Sequence, residues 1–185
     1  LPEAQGGFGS GTLGMVSVMK ALGRGLVVEP YVPTLTAARL VAALGSDAQE
    51  ALLEKVIGGE LKLALGHLEP ASRYNLNEVT TRATRDGAGY KLSGEKRLVL
   101  GAPVADKLLV SARTAGGDAD TDGIGLFLVD TGAKGLRLNT YRTNDDMRGA
   151  DLVLDGVKAE LVGAEGGAYA AIEEGEVFLR NAHIP

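Results

Sequence analysis

The hydrophobic period of this chain changes at Leu61, and that change limits what it can fold into. Before it, apolar residues recur at helical spacing. Met15, Val18, Met19 and Leu22 share one face, and Gly23 and Gly25 supply the stop. After an extended Tyr31-Val32-Pro33, a second helix is expected over residues 34–44, with Leu35, Ala38, Val41 and Ala42 turned inward. Ser46-Asp47-Ala48-Gln49 matches a capping box, and the helix it opens presents Ala48, Leu52, Leu53 and Val56 before Gly58-Gly59 closes it. From Leu61 the period is two. Leu61, Leu63 and Leu65 alternate, as do Val79, Thr81 and Ala83, and Asp86-Gly87-Ala88-Gly89 is a hairpin signal. Tyr90-Lys91-Leu92 begins a return strand and Ser93-Gly94-Glu95 is expected to turn again. Further strands are expected over 96–100, 107–112, 124–129, 136–141 and 150–154. Short helices followed by short strands give an α+β class: a helical segment, then an antiparallel β-sandwich or barrel. A helix is expected to start near Ala168, and the ending VFLRNAHIP fits neither period.

Composition removes several function classes. The net charge of −5 argues against a nucleic-acid partner, which needs a basic face. There is no cysteine, hence no disulfide, no thiolate metal site and no cysteine nucleophile, as suits a reducing, cytoplasmic setting. No apolar run approaches the ~18–20 residues of a membrane span. LPEAQGGFGSG lacks the basic start and apolar stretch of a signal peptide, and it lacks an initiator Met, so the chain is expected to be a fragment. Tryptophan is absent, so the core must be built from Leu, Val and Ala.

The most polar short stretch is His67-Leu68-Glu69-Pro70-Ala71-Ser72-Arg73-Tyr74-Asn75, at the end of an apolar run. His67 reads either as a hydrogen-bonded structural histidine or as a catalyst. Arg73 could meet a phosphate or pair with a nearby acid. Tyr74 could lie over a cofactor or cover the core. With two distant histidines and no cysteine, no metal site is expected. The aspartates of the loop 116–123 match a calcium loop only loosely, because the closing acidic residue is missing, and that loop is expected to be mobile. Gly6-Gly7-Phe8-Gly9 lacks the full phosphate-binding fingerprint. Ser111 has no histidine or acid in triad order. Arg148 is expected to hold its own loop.

Six segments, in order, resemble the acyl-CoA dehydrogenase family: LPEAQGGFGSG, the helices to ALGSDAQEALLEKVIGGELKLALG, GYKLSGEKRLVLGAPVADKLLVSART, IGLFLVDTGAKGLRL, MRGADLVLDGV and GAEGGAYAAIEEG. The ASRYN and SART forms are similar to the small-subunit branch of pimeloyl-CoA dehydrogenases. The resemblance implies residues 1–58 as the C-terminal part of an N-terminal helical domain, 59–162 as the middle β domain, and 163–185 as a linker and the start of a C-terminal helical domain. It implies FAD-dependent α,β-dehydrogenation of an acyl-CoA thioester, as in fatty acid β-oxidation. The implied partners are the acyl-CoA substrate, electron-transferring flavoprotein, and further subunits of a homo- or hetero-oligomer. It places HLEPASRYN where the family has T-E-P-x-x-G-S-D. Glu69 and Pro70 match, Leu68 replaces the hydroxyl residue, and Tyr74 and Asn75 replace serine and aspartate. Leu65, His67, Leu68 and Tyr74 would then be flavin-side residues, and Arg73 and Tyr74 would meet substrate. Leu98 and Leu100 stand where the family carries an aromatic-x-Thr flavin contact. The catalytic base is implied to lie in the family's C-terminal domain, so none is assigned here. A non-catalytic partner subunit of the same fold is the alternative, and a binding module without chemistry is a third reading.

Overall fold

The computed structural model describes residues 1–182. Four helices, α1 (Gly11–Arg24), α2 (Tyr31–Leu44), α3 (Asp47–Ile57) and α4 (Tyr169–Ala182), flank seven strands. The strands are β1 (Leu63–Gly66), β2 (Arg82–Asp86), β3 (Gly89–Leu100), β4 (Lys107–Arg113), β5 (Ile124–Asp130), β6 (Leu136–Arg142) and β7 (Arg148–Val162). This is the α+β order read from the period change. The end of the VFLRNAHIP stretch, residues 183–185, lies outside the described residues.

The strands form a closed circuit. β4 pairs antiparallel with β5, β5 with the end of β7, β7 with β3 and β3 with β2. β2 returns to β4 through a parallel contact at Arg82 and Arg113. β1 lies along the same edge of β4, also parallel, and β6 is added to β7. The expected antiparallel barrel is therefore mixed at one edge, because β4 accepts two parallel neighbours end to end. Closure leaves few open ladder groups.

The two faces of β4 show how the layers form. Leu108, Val110 and Ala112 point into the barrel with Leu92, Phe127, Val129 and Leu152. Leu109 faces outward, into a second core with Ala37, Leu40 and Val41 of α2, Leu53 of α3 and Ile172 of α4. A strand buried on both faces reads as an unbroken apolar run, as KLLVSA does. Gln49 docks α3 on the barrel: its side-chain amide donates to Glu160 Oε1 (2.7 Å) and the Leu161 carbonyl (2.8 Å). Its Oε1 accepts the Ser46 N–H (3.1 Å), half of the expected capping box.

Local expectations fail at five places. Tyr31-Val32-Pro33 is the first turn of α2, not an extended lead; a first-turn proline gives up no intrahelical bond, since those N–H groups have no partner anyway. Ala48 is exposed, because α3 meets the barrel through Gln49 and Leu53. The strand expected from Val79 starts at Arg82, because Thr80 and Thr81 turn their N–H groups to a side chain. Ser93-Gly94-Glu95 does not turn; β3 runs through it with a register shift against β7. Gly94, at φ 150°, lies so near the Thr81 backbone that an added Cβ would sit 2.7 Å from its Cα. The loop 116–123 is tied down rather than free. Buried Arg113 donates to the carbonyls of Val79, Asp122, Asn77, Asp118 and Asp120 at 2.8–3.0 Å.

Among the described residues, no helix is long and apolar enough to cross a membrane.

Candidate functional site

The rim of the barrel where β1 and β3 end meets α2 and α4 in a concavity of about 140 Å³. Leu65, His67, Leu68, Arg97, Leu98 and Leu100 form its sheet side. Pro33 and Thr36 of α2, with Ile172 and Glu176 of α4, form its helix side. The two sheet-side stretches are joined directly: the Arg97 N–H donates to the Leu68 carbonyl at 2.8 Å. Thr34 Oγ1 donates to the Leu63 carbonyl (3.0 Å) and fixes α2 to β1.

Five of the six residues singled out for the flavin side, Leu65, His67, Leu68, Leu98 and Leu100, thus line one space although thirty-odd residues separate the two groups. Tyr74 does not join them. It is 90% exposed, on a turn closed by Ser72, and covers neither the core nor this concavity. Arg73, at φ 47°, is exposed on the same turn. Arg148 is exposed at the start of β7, and its carbonyl accepts the Gly101 N–H (2.8 Å).

Behind the wall is a buried polar network that sequence reasoning did not assemble. Lys96 is fully buried, and its ammonium has three acceptors: Glu69 Oε1 (2.6 Å), Ser111 Oγ (3.0 Å) and the His67 carbonyl (3.2 Å). Three donors meet three acceptors, so the ammonium is satisfied. The Glu69 carboxylate also accepts the Thr80 N–H (2.7 Å), the Thr80 hydroxyl and the Thr81 N–H (3.0 Å). Burial alone would raise the Glu69 carboxyl; Lys96 and the threonine donors outweigh it and hold the group near 2. Burial pulls Lys96 down to about 8, against the pull of Glu69. Both members of the pair remain charged at neutral pH.

His67 belongs to the same network. Its Nδ1 lies 2.9 Å from Ser111 Oγ. An ammonium only donates, so Lys96 occupies a lone pair of that oxygen, and the Ser111 hydrogen is left for His67 Nδ1. The alternative would leave a buried hydroxyl hydrogen without a partner. The imidazole is therefore neutral with its proton on Nε2. Burial, then the charge of Lys96, hold it down at about 4, against the charge of Glu69 and a hydrogen bond to the Leu76 backbone, which pull the other way. The His67 ring is thus held by hydrogen bonds within the wall. The signal that could have found this network is the lysine itself, at an inward place in the strand motif KRLVL.

On the open side, the Asp151 carboxylate accepts from Arg97 Nη1 (2.6 Å), the Tyr141 hydroxyl (3.0 Å) and the Leu98 N–H (3.1 Å). Arg97 also meets Glu95 (2.9 Å). Among the described residues, no group of three or more His, Asp or Glu could hold a metal ion. A larger hollow of about 910 Å³ lies beside α1, among Phe8, Met15, Tyr31 and Ile57. None of the candidate residues lines it.

Residues 64–157, half of the chain, match the model of the acyl-CoA dehydrogenase middle domain. The chain is 32% identical over 173 residues to acyl-CoA dehydrogenase FadE27 of Mycobacterium tuberculosis, covering 92% of this chain and 43% of that protein. It superimposes on the Tcur3481-Tcur3483 steroid ACAD G363A variant with a TM-score of 0.81 and 36% identity, over 98% of this chain and 47% of the other. On the FAD complex of PigA the TM-score is 0.86 at 22% identity, over 97% and 51%, a likeness of fold. The chain thus spans less than half of the curated relative it matches. The matched domain contains both stretches of the concavity's sheet side, and the chain belongs to the acyl-CoA dehydrogenase family.

Proposed function

We propose that this chain supplies one wall of a flavin and acyl-thioester site in an FAD-dependent acyl-CoA dehydrogenase. The observation that carries this reading is the convergence of Leu65, Leu68, Leu98 and Leu100 on one concavity beside the Leu68-Glu69-Pro70 turn. The lining suits the face of a flat aromatic ring: four leucines, Pro33 and Ile172, with few polar groups. Its volume is close to that of the ~150 Å³ apolar cavity that admits a single benzene. It therefore fits part of an isoalloxazine and covers one side of it. When bound, FAD supplies acceptance of a hydride from the β-carbon of the thioester.

The chain's own residues have other tasks. The leucines exclude water from one ring face. The Lys96–Glu69 pair fixes the His67–Glu69 backbone against β3, and neutral His67 adds no charge to the wall. We assign abstraction of the α-proton to no residue of this chain. Consistent with the family, residues 1–58, 59–162 and 163–185 would be the end of a helical domain, the middle β domain and the entry to a second helical domain. The substrate would be an acyl-CoA, the electron acceptor an electron-transferring flavoprotein, and the assembly a homo- or hetero-oligomer in the cytoplasm. Arg73 and Tyr74, exposed on their turn, remain available to a substrate or a second subunit.

A non-catalytic partner subunit is the second reading. It is favoured by the apolar Leu68, Leu98 and Leu100, which bring neither hydroxyl nor aromatic ring to the wall. The related steroid enzyme also joins two components in its name. The test is flavin uptake by the full-length protein, followed by visible absorption and loss of flavin fluorescence, then bleaching by acyl-CoA without oxygen. Uptake with bleaching supports the dehydrogenase. Bleaching only after a second homologous subunit is added supports the partner role. A colourless protein that takes up no FAD in either state defeats both.

A further inference from the structure

The two strands that frame the concavity do not pair evenly. On β3, Lys96 is opposite Leu152 of β7 and Val99 is opposite Ala150. Two residues, Arg97 and Leu98, therefore face one, Asp151. This is a β-bulge, and it shifts the phase of the strand. In an even strand Lys96, Leu98 and Leu100 would share one face and Arg97 and Val99 the other. Instead Lys96 and Val99 are both fully buried, opposite buried Leu152 and Ala150, while Arg97, Leu98 and Leu100 all border the concavity. Leu98 bears the strain: its φ is 50°, a left-handed conformation that costs a β-strand leucine energy, and the residue is 47% exposed. Such a conformation persists only if its surroundings impose it. Here the imposing group is visible. The one residue facing the bulge, Asp151, captures the Leu98 N–H and the Arg97 guanidinium on the same carboxylate. The Tyr141 hydroxyl of β6 donates to the same carboxylate oxygen as the Leu98 N–H.

We infer that Asp151 is a positioning residue for the flavin-side wall: it clamps the Arg97–Leu98 bulge and so turns Leu98 and Leu100 to the concavity. The role of the wall rests on the function proposed above; the clamp itself does not. Loss of the carboxylate releases the Leu98 N–H and the Arg97 guanidinium, so Leu98 is free to leave its left-handed conformation; two residues still face one, but the bulge is no longer held in the form that turns Leu98 to the concavity.

The experiment compares Asp151→Ala, Asp151→Asn and the control Asp155→Asn, at an exposed position of the same strand, each in the full-length protein. The first readout needs no flavin. It is the amide resonance of Leu98 and its N–H to Hα coupling, which reports φ. In Asp151→Ala the amide loses its carboxylate-bonded shift and the coupling moves to the extended value, while Leu109 and Leu126 in the other core keep theirs. Asp151→Asn retains an oxygen acceptor, folds, and shows the amide change in part; it decides the question if the alanine variant does not fold. The second readout is FAD affinity, expected to fall about tenfold in Asp151→Ala, about threefold in Asp151→Asn and not at all in Asp155→Asn. An unchanged Leu98 amide and coupling in the folded variants overturns the clamp. A changed Leu98 with undiminished FAD affinity overturns its positioning role. Wild-type protein that takes up no FAD defeats the proposed function instead, and the first readout still rules on the clamp.

Discussion

Replacing Lys96 with methionine removes a charge from a site where water cannot replace it. The two side chains of the Lys96–Glu69 pair are 0% and 1% exposed. Deleting one partner of such a pair costs about 3–5 kcal/mol, because the other is left buried and uncompensated. That is a fifth or more of the stability of a typical domain, ~5–15 kcal/mol. The substitution also takes donors from the His67 carbonyl and Ser111 Oγ. The intact pair is another matter. Glu69 is held near 2 by Lys96 and the threonines, which stabilises the fold, while burial pulls Lys96 to about 8, which opposes it. The contributions have opposite signs, so neutralising both should cost less than neutralising one. The double variant Lys96→Met/Glu69→Gln removes the uncompensated charge and keeps an oxygen for one of the Thr80 and Thr81 N–H groups, which the carboxylate serves with separate oxygens, and should recover about 1 kcal/mol of the loss. Urea unfolding followed by circular dichroism at neutral pH measures each value. The pH dependence adds a sign. In the wild type the folded Glu69 pKa lies below its ordinary value, so its contribution is present above about 4.5 and is lost as pH falls toward 2. In Lys96→Met burial acts without the cation, so the carboxyl rises from its wild-type value and the variant loses less stability than wild type on acidification. A single variant within about 1 kcal/mol of wild type, or a double variant no better than the single, refutes the reasoning.

Two other measurements probe the same scaffold. The His67 imidazole, depressed to about 4 by burial and Lys96, should stay neutral in a nuclear magnetic resonance titration until the pH approaches that value. Its contribution to stability is complete above its ordinary 6.5 and is lost as pH falls from there toward 4; titration near 6.5 in the folded protein contradicts the network. Arg113→Lys trades a planar fork of donors serving five carbonyls for one compact ammonium. It should cost about 2–4 kcal/mol and speed hydrogen exchange over residues 114–124. Unchanged exchange there rules out the clamp on this loop.

Much of the architecture was legible because it is set by neighbours in sequence. The change of period at Leu61, the Ser46–Gln49 cap and the glycines after α1 and α3 each act over a few residues, and the corresponding elements are present. The order of motifs pointed to the family, and the paired leucine positions Leu65, Leu68, Leu98 and Leu100 could be read from it. What spacing could not give was phase. KRLVL alternates on paper, yet β3 bulges at Arg97–Leu98 opposite a residue more than fifty positions away, Asp151, whose carboxylate accepts the Leu98 N–H. Spacing likewise marked Lys96 only as a strand residue. Its burial became tolerable when folding brought Glu69, the His67 carbonyl and Ser111 to it from 27, 29 and 15 residues away. Local sequence determines period, because backbone geometry repeats every two or 3.6 residues. Only the tertiary structure decides which charge can be buried and which strand must bulge, because those costs are met by groups that become neighbours when the barrel closes.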